Sequence, residues 1–497
     1  MQLILRRGNL KTNRWSTIPE ATVRTALAAL LTVFFLSSAF SQGMSYAEYG
    51  LYDTDLLPPS FFKANREKLL HAIGDSALAV FYSAPEHTRI NDTEFKYRQD
   101  NDFFYLTGCN QPNSFLLLSS KPFEVSDTSG KHNVREVLFV DERNPARETW
   151  TGRQLGPYGA IRVLGFESSL PNSDVEKTLG KIVFNAKQAY FPLEPPQAEG
   201  KLADFVRTVG NFERGLQHGG RVGIRNPIPL VRQMREVKSP EELRLIRRAV
   251  DISMEGHRQM MKSCKPGMYE YQLQAVFEYV TGSQGAEYMA YPCIVGSNEN
   301  SVILHYGSNR RRFGSGEVIV ADCGAEYHNY ASDITRTIPV GGKFTPPQRQ
   351  IYDIVLSAQE KSMDLMKPGI NYYAIVNKKA IEVVRDGLLK LGIIKDSADY
   401  RKYFMHGVGH PVGLDVHDVS LTGVLRAGEV WTVEPGIYIP AHSDGVYPKY
   451  WNIGVRLEDD VLVTESGYEL LTKDLPRDAD AVERLMKEPG IGALPIK

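Results

Sequence analysis

Four carboxylates stand in strands that are otherwise apolar, and few folds tolerate that. In "VIVADCGAEY" Asp322 ends an almost wholly apolar run, and eleven residues on "YASDITRTIPV" sets Asp333 in another. "GEVWTVEPGIY" closes a strand on Glu434 before a Pro435-Gly436 turn. "GVRLEDDVLV" puts Arg456 and Glu458 on one strand face, with Val455 and Leu457 on the other. One such acid reads as a cap or a salt-bridged strand end. Four call for more, because buried carboxylates lose hydration and repel one another unless cations compensate. The Asp322 to Asp333 spacing fits a hairpin that brings both acids together. Two divalent cations would neutralise the four charges. Four carboxylates with one imidazole make a hard, oxygen-rich set that suits Mn²⁺, and Co²⁺ or Zn²⁺ less selectively. Paired ions ~3.5–4 Å apart activate water and polarise a carbonyl, as hydrolases require.

Imidazoles are concentrated in "HGVGHPVGLDVHD" (406–418), which holds His406, His410 and His417 of the eleven histidines in the chain. His406 and His410 have the i, i+4 spacing of a zinc-protease HExxH helix, but no Glu stands at the second position. Gly407 and Gly409 would each weaken a helix by roughly 1 kcal/mol. Leu414 and Val416 alternate with Asp415 and His417, so the spacing predicts a glycine-rich turn entering a strand over 412–417. Taken alone these histidines read as structural or surface residues. The four acids change that balance.

At 497 residues the chain has room for two or three domains. Its formal net charge of -1, with no long basic run, gives no reason to expect nucleic acid as a partner. The four cysteines, Cys109, Cys264, Cys293 and Cys323, are irregularly spaced and read as lone buried thiols. Basic residues precede the apolar run "TALAALLTVFFLSSAF" and a small-residue Ala39-x-Ser41 site, the pattern of a signal peptide over 1–41. Export to the periplasm or medium is the expectation, with no stable membrane insertion after leader removal. A true start near Met44 would instead leave the protein cytoplasmic.

Strand-like runs at 76–84, 114–120 and 136–142 alternate with helical stretches at 60–73 and 174–186, which predicts an α/β domain up to about residue 215. Phe103, Phe104 and Tyr105 read as core. "RGLQHGGRVGIRNPIPL" reads as a linker or crossing segment. A new unit starts where Ser239 caps a helix, Pro240 occupies its first position and Glu242 completes a capping box. A helix at 268–282 follows, then strands near 302–306, 317–323 and 331–340. Helices at 346–366 and 371–391 lead to strands at 412–417, 429–434 and 455–463.

Asp322, Asp333, His410, Glu434 and Glu458, in that order, resemble the five ligands of the pita-bread metallopeptidases. "LHY" (304–306), "HGVGHPVGLDVHD", "TVEPGIY" and "GVRLEDD" match the proline-specific branch, and residues 84–108 resemble that branch's N-terminal domain. The resemblance spans about residues 55–475 and implies an α/β (α+β) chain. An N-terminal aminopeptidase P-like domain (42–232) would precede a pita-bread catalytic domain (233–497). It implies that Asp322 binds one of two metal ions, that His410 and Glu434 bind the other, and that Asp333 and Glu458 bridge them. Glu434 would also shuttle a proton. His305, His406 and His417 would surround the substrate, with Arg456 supporting the pocket. The implied reaction removes an N-terminal residue that precedes proline, in a homo-oligomer of two or four chains. Two alternatives stand beside it: a prolidase restricted to Xaa-Pro dipeptides, and a pita-bread binding module without catalysis. The compact 435–457 segment looks like aminopeptidase P, since prolidases often carry a longer insert there.

Overall fold

The structure, a computed structural model, describes residues 47–127, 130–192, 200–219 and 222–493. The leader expected over 1–41 lies outside the described residues. Contacts divide the chain into a small unit, the described residues up to Leu56 with Pro145–Gln154, and a large unit holding the rest. The small unit contains the 3₁₀ turn Ala47–Tyr49 and the helix Pro145–Thr151, and Arg153 Nη1 donates to the Ala47 carbonyl at 3.1 Å.

The large unit opens with α1 (Pro59–Ile73) and β1 (Ala77–Tyr82), whose six residues are all buried. β1 sits inside a six-stranded mixed sheet because its unbroken apolar run, ALAVFY, suits a strand covered on both faces. The sheet order is β4–β3–β2–β1–β5–β6, where β2 is Phe115–Asp127, β3 Gly130–Val140, β4 Ser169–Pro171, β5 Gln188–Tyr190 and β6 Gly223–Arg225. β1, β2 and β3 pair antiparallel, and the outer strands join in parallel. Leu78, Val80, Phe115, Leu117 and Phe205 form the core on one side. Within the expected linker at 214–230, Gly223–Arg225 is a strand of this sheet. Gly223 pairs with Gln188, whose side chain fills the space a Cβ would need, so the glycine admits an edge strand there. Phe103, Phe104 and Tyr105 are buried on α2 (Asn101–Thr107), whose first turn is capped by the Asp100 carboxylate accepting from the Phe103 N–H.

After α3 (Ile228–Arg235) comes α4 (Pro240–Ser263), with the expected capping box: Ser239 Oγ accepts from the Glu242 N–H and Glu242 Oε2 from the Ser239 N–H. Beyond α5 (Glu270–Ser283), an antiparallel sheet β7–β8–β9 joins Ile294–Ser297, Val318–Asp322 and Thr335–Pro339. Asp322 lies opposite Ile294 on one side and Thr335 on the other. The strand expected at 302–306 is a turn, because the Ile303 N–H and Ser301 Oγ bond back to Asn300 and Asn298 instead of to a neighbouring strand.

Helices α6 (Pro346–Met363) and α7 (Asn377–Lys390) follow, with a π-turn, Tyr372–Val376, leading into α7. The strand expected at 455–463 is two strands. β12 (Ile453–Arg456) pairs with β11 (Gly436–Ile439), and β13 (Asp459–Val463) pairs with β10 (Val430–Val433). The break falls at Leu457–Glu458, opposite Pro435, which lacks an N–H to continue a ladder. The four cysteines are free and buried. No helix among the described residues is long and apolar enough to cross a membrane.

Candidate metal centre

All nine residues singled out from the sequence line one cavity of about 700 Å³: His305, Asp322, Asp333, His406, His410, His417, Glu434, Arg456 and Glu458. Strand ends deliver most of them. Asp322 closes β8 and Asp333 lies two residues before β9, so the antiparallel pairing places both at one end of that sheet. Glu434 follows β10, and Glu458 fills the break between β12 and β13. Asp333, His410 and Glu458 offer ligand atoms within 4.8 Å of one another. His410 Nε2 stands 3.4 Å from Asp333 Oδ2 and 3.7 Å from Glu434 Oε1.

His410 comes from an irregular segment, where a strand was expected over 412–417. The Val412, Thr432 and Glu434 N–H groups donate across to Val430, His410 and Val408 in turn, but the return bonds are missing. The His410 N–H goes to the Thr432 hydroxyl, and Pro411 has no N–H to give. The Asp418 N–H donates to the Pro411 carbonyl and the Gly413 N–H to that of Asp415, so the chain curls back as a compact loop. Alternation of residue type in "VGLDVH" is therefore not matched by burial: Val412, Gly413 and Leu414 are all buried, and Asp415, Val416 and His417 are not. Two glycines permit it: a Cβ at Gly409 would lie 2.2 Å from the Thr432 carbonyl oxygen, and one at Gly413 only 2.0 Å from Asp418 Oδ2. Tyr372, stacked on Trp431 at 4.4 Å, supports the crossing by donating to the Thr432 carbonyl at 2.7 Å.

The acids have few cations among them. Arg456 Nη2 donates to Asp322 Oδ2 at 2.6 Å, while Asp322 Oδ1 is buried with no partner. Burial pushes Asp322 up against the opposing Arg456 charge, with Asp333 adding to the rise. Glu458 is held well above the carboxylate range by burial and by Asp333, Glu434 and Asp322. Glu434 is pushed up to about 8, by burial first, against the opposing pull of His410. Burial alone would lower His410, but the hydrogen bond and charge of Asp333 and the charge of Glu434 carry it up to about 9. Burial and Arg456 take His406 down to about 4, and partial burial with the His410 charge lowers His417. Four carboxylates facing one guanidinium, with an orphaned buried oxygen, fit divalent cations. Asp322, Asp333, His410, Glu434 and Glu458 are the residues placed to hold them.

Around this set, the His417 ring lies tilted against His410 with ring centres 3.9 Å apart. His406 Nε2 meets the Tyr438 hydroxyl at 2.8 Å, and Arg456 Nη1 donates to that same oxygen at 3.0 Å. His305 reaches the cavity from the turn at 301–305. Sequence reasoning missed three supporting groups. Tyr291 donates to Asp333 Oδ1 at 2.5 Å, Thr335 donates to Glu458 Oε2 at 2.6 Å, and Asp460 Oδ2 accepts the Asp333 N–H at 3.0 Å. Thr335 and Asp460 lie inside the quoted motifs, while Tyr291 stands in "MAYPC" with no pattern to mark it.

The chain is similar to known proteins over both its halves. The model of metallopeptidase family M24 matches residues 244–465, and that of the aminopeptidase P N-terminal domain matches 62–190. The chain is 38% identical to an Xaa-Pro aminopeptidase of Escherichia coli over 86% of this chain and 97% of that one. Zinc-substituted aminopeptidase P of E. coli in complex with product is similar, with a TM-score of 0.78 at 36% identity over 87% of this chain and 99% of that chain. Pseudomonas aeruginosa aminopeptidase PepP gives a TM-score of 0.80 at 34% identity, covering 87% of this chain and 98% of that chain.

Proposed function

The chain belongs to metallopeptidase family M24, and on that premise we propose that it is an Xaa-Pro aminopeptidase, which removes an N-terminal residue whose neighbour is proline. The observation that carries the reading is the gathering of Asp322, Asp333, His410, Glu434 and Glu458 about one cavity. Two divalent ions held by these five side chains would supply activated water and Lewis-acid polarisation of the scissile carbonyl. Asp333 and Glu458 would be the shared ligands, Asp322 would serve one ion, and His410 and Glu434 the other. The donor set favours Mn²⁺, with Co²⁺ and Zn²⁺ as competitors.

The remaining roles belong to the chain's own groups. Glu434, facing the cavity after β10, carries a proton towards the leaving imide nitrogen. His417 and His305 donate to the carbonyl oxygen as charge develops on it. His406 lines the substrate side, fixed by the Tyr438 hydroxyl, and Arg456 holds Asp322 in place. A proline nitrogen in peptide linkage has no hydrogen to offer, so recognition must come from shape and apolar contact. Ile294, Leu304, Pro292 and Val416 give the cavity an apolar wall. The same reading divides the chain into an N-terminal domain over 42–232 and a catalytic domain over 233–497. It also favours a homo-oligomer, which light scattering measures, and export, which N-terminal sequencing of the mature chain near Gln42 checks.

The test separates this enzyme from a prolidase. Recognising a free proline carboxylate needs a buried cation, which penalises a continuing peptide. The β11–β12 hairpin is joined by residues 440–452, with no long insert to close the cavity beyond proline. With Mn²⁺, Xaa-Pro-Yaa tripeptides should be cleaved with kcat/KM at least equal to that of Xaa-Pro dipeptides, and Xaa-Ala-Yaa controls scarcely at all. Cleavage of dipeptides alone would make it a prolidase. Equal cleavage of the alanine controls would remove the proline preference.

A further inference from the structure

Away from the carboxylate cluster, a second set of charges, buried except for the half-exposed Asp415, ties the N-terminal half of the chain to the loop that carries His417. Arg235, the last residue of α3, is 2% exposed. Its Nη1 donates to Asp102 Oδ1 on α2 at 2.6 Å, and its Nη2 donates to Asp415 Oδ2 at 2.5 Å and to Asp418 Oδ1 at 2.7 Å. Lys238 Nζ lies 3.1 Å from Asp418 Oδ2, and Asn101 Nδ2 donates to Asp415 Oδ1 at 2.7 Å. Arg98 Nη2 also reaches the Leu414 carbonyl at 3.3 Å.

Asp415 and Asp418 flank Val416 and His417, the two residues of this loop that face the cavity. One guanidinium therefore holds both ends of the short stretch that presents His417. The His417 ring lies tilted at 34° against His410, a ring contact whose angle is loosely set. Its direction is set by the backbone on either side. A planar fork with fixed donor angles constrains that backbone in a way that a rotating ammonium does not.

We propose that Arg235 is a positioning residue for peptide hydrolysis. By gripping Asp415 and Asp418 together, with Asp102 bracing it from α2, it aims His417 at the scissile carbonyl. This rests on the reading of His417 as a group that acts on that carbonyl. It also gives the N-terminal half of the same chain a part in catalysis, since α2 supplies the brace. Misplacing a reacting group by about 1 Å costs on the order of a hundredfold in rate, so a loosened grip is measurable.

The experiment uses metal-loaded full-length enzyme and Arg235→Lys, which keeps the charge and removes the fork, in the wild-type and His417→Ala backgrounds. kcat and KM for an Xaa-Pro-Yaa tripeptide, metal content and the thermal midpoint are measured in each. In the wild-type background kcat should fall about tenfold, with KM and metal content within about twofold. In the His417→Ala background the same substitution should change kcat by less than about twofold, because coupled residues do not add. Asp102→Asn, which touches the brace and not the loop, should repeat the pattern more weakly, and it carries the test if Arg235→Lys fails to fold. Equal losses in both backgrounds, no loss in either, or departure of metal would overturn the proposal. Undiminished turnover in His417→Ala alone would instead overturn the reading of His417 on which it rests. The two failures are distinct, because only the first leaves His417→Ala impaired.

Discussion

Two groups of acids, all but the half-exposed Asp415 largely buried, meet the segment from His410 to Asp418, and the protein treats them differently. Asp322, Asp333, Glu434 and Glu458 face one guanidinium, Arg456, and leave Asp322 Oδ1 without a partner. Asp102, Asp415 and Asp418 are met by Arg235, with Lys238 and Asn101 completing the set. Burial alone would raise Asp418, yet Lys238 and Arg235 hold its carboxyl below the usual range. Glu458, equally buried among other acids, is driven far above it. Asp102 also stays raised, because burial there outweighs the guanidinium. Asp418, the acid used as a strut, is neutralised by the chain's own cations, whereas the acids proposed to bind ions share one guanidinium.

This contrast can be broken in several ways. The largest effect belongs to Asp333→Ala, which should abolish activity and lower metal content measured by elemental analysis. Its metal-free form should stay folded, since one of several repelling charges has been removed. Full activity at saturating Mn²⁺ would sink the two-ion reading. Asp418→Ala should do the reverse to stability. It strands Arg235 and Lys238 without a shared partner, and breaking a buried pair in this way costs about 3–5 kcal/mol in denaturant titrations. A loss no larger than that of metal-free Asp333→Ala would erase the distinction between the clusters. His417→Ala stands between them: both ions should remain bound while turnover drops about 10²- to 10³-fold, the range for a main oxyanion donor. Loss of metal would show that the histidine roles are misassigned. The smallest effect is ligation itself. Divalent ion at a hundred times its Kd should raise the unfolding free energy by about 2.7 kcal/mol, and much less in Asp333→Ala.

The acids of the first cluster were legible because a carboxylate in an apolar strand is a local anomaly, visible within ten residues of sequence. Their hairpin partners followed from spacing, and the capping box at Ser239 from a four-residue pattern. The second cluster was not legible. Asp102, Arg235, Asp415 and Asp418 stand in three separated segments, and each reads on its own as an ordinary charge near a helix end or loop. Only the tertiary fold brings them within hydrogen-bond reach. The loop at 412–417 misled for another reason: apolar and polar residue types alternate as in a strand, but Pro411 and the Thr432 hydroxyl divert the hydrogen bonds a ladder needs. The edge strand Gly223–Arg225 hid behind glycine and proline, which mark breaks more often than sheet edges.

The bond from Arg235 to Asp418 spans 183 residues of chain, and that from Asn101 to Asp415 spans 314. A ribosome adding about 5–20 residues per second therefore makes Arg235 roughly 10–40 seconds before its loop partner Asp418 exists. Throughout that interval Asp102 is the one of Arg235's three carboxylate partners already made, and His417 has not been synthesised. The nascent protein cannot hydrolyse a peptide until the segment that closes the clamp emerges, so clamp and imidazole arrive in the same moment of synthesis.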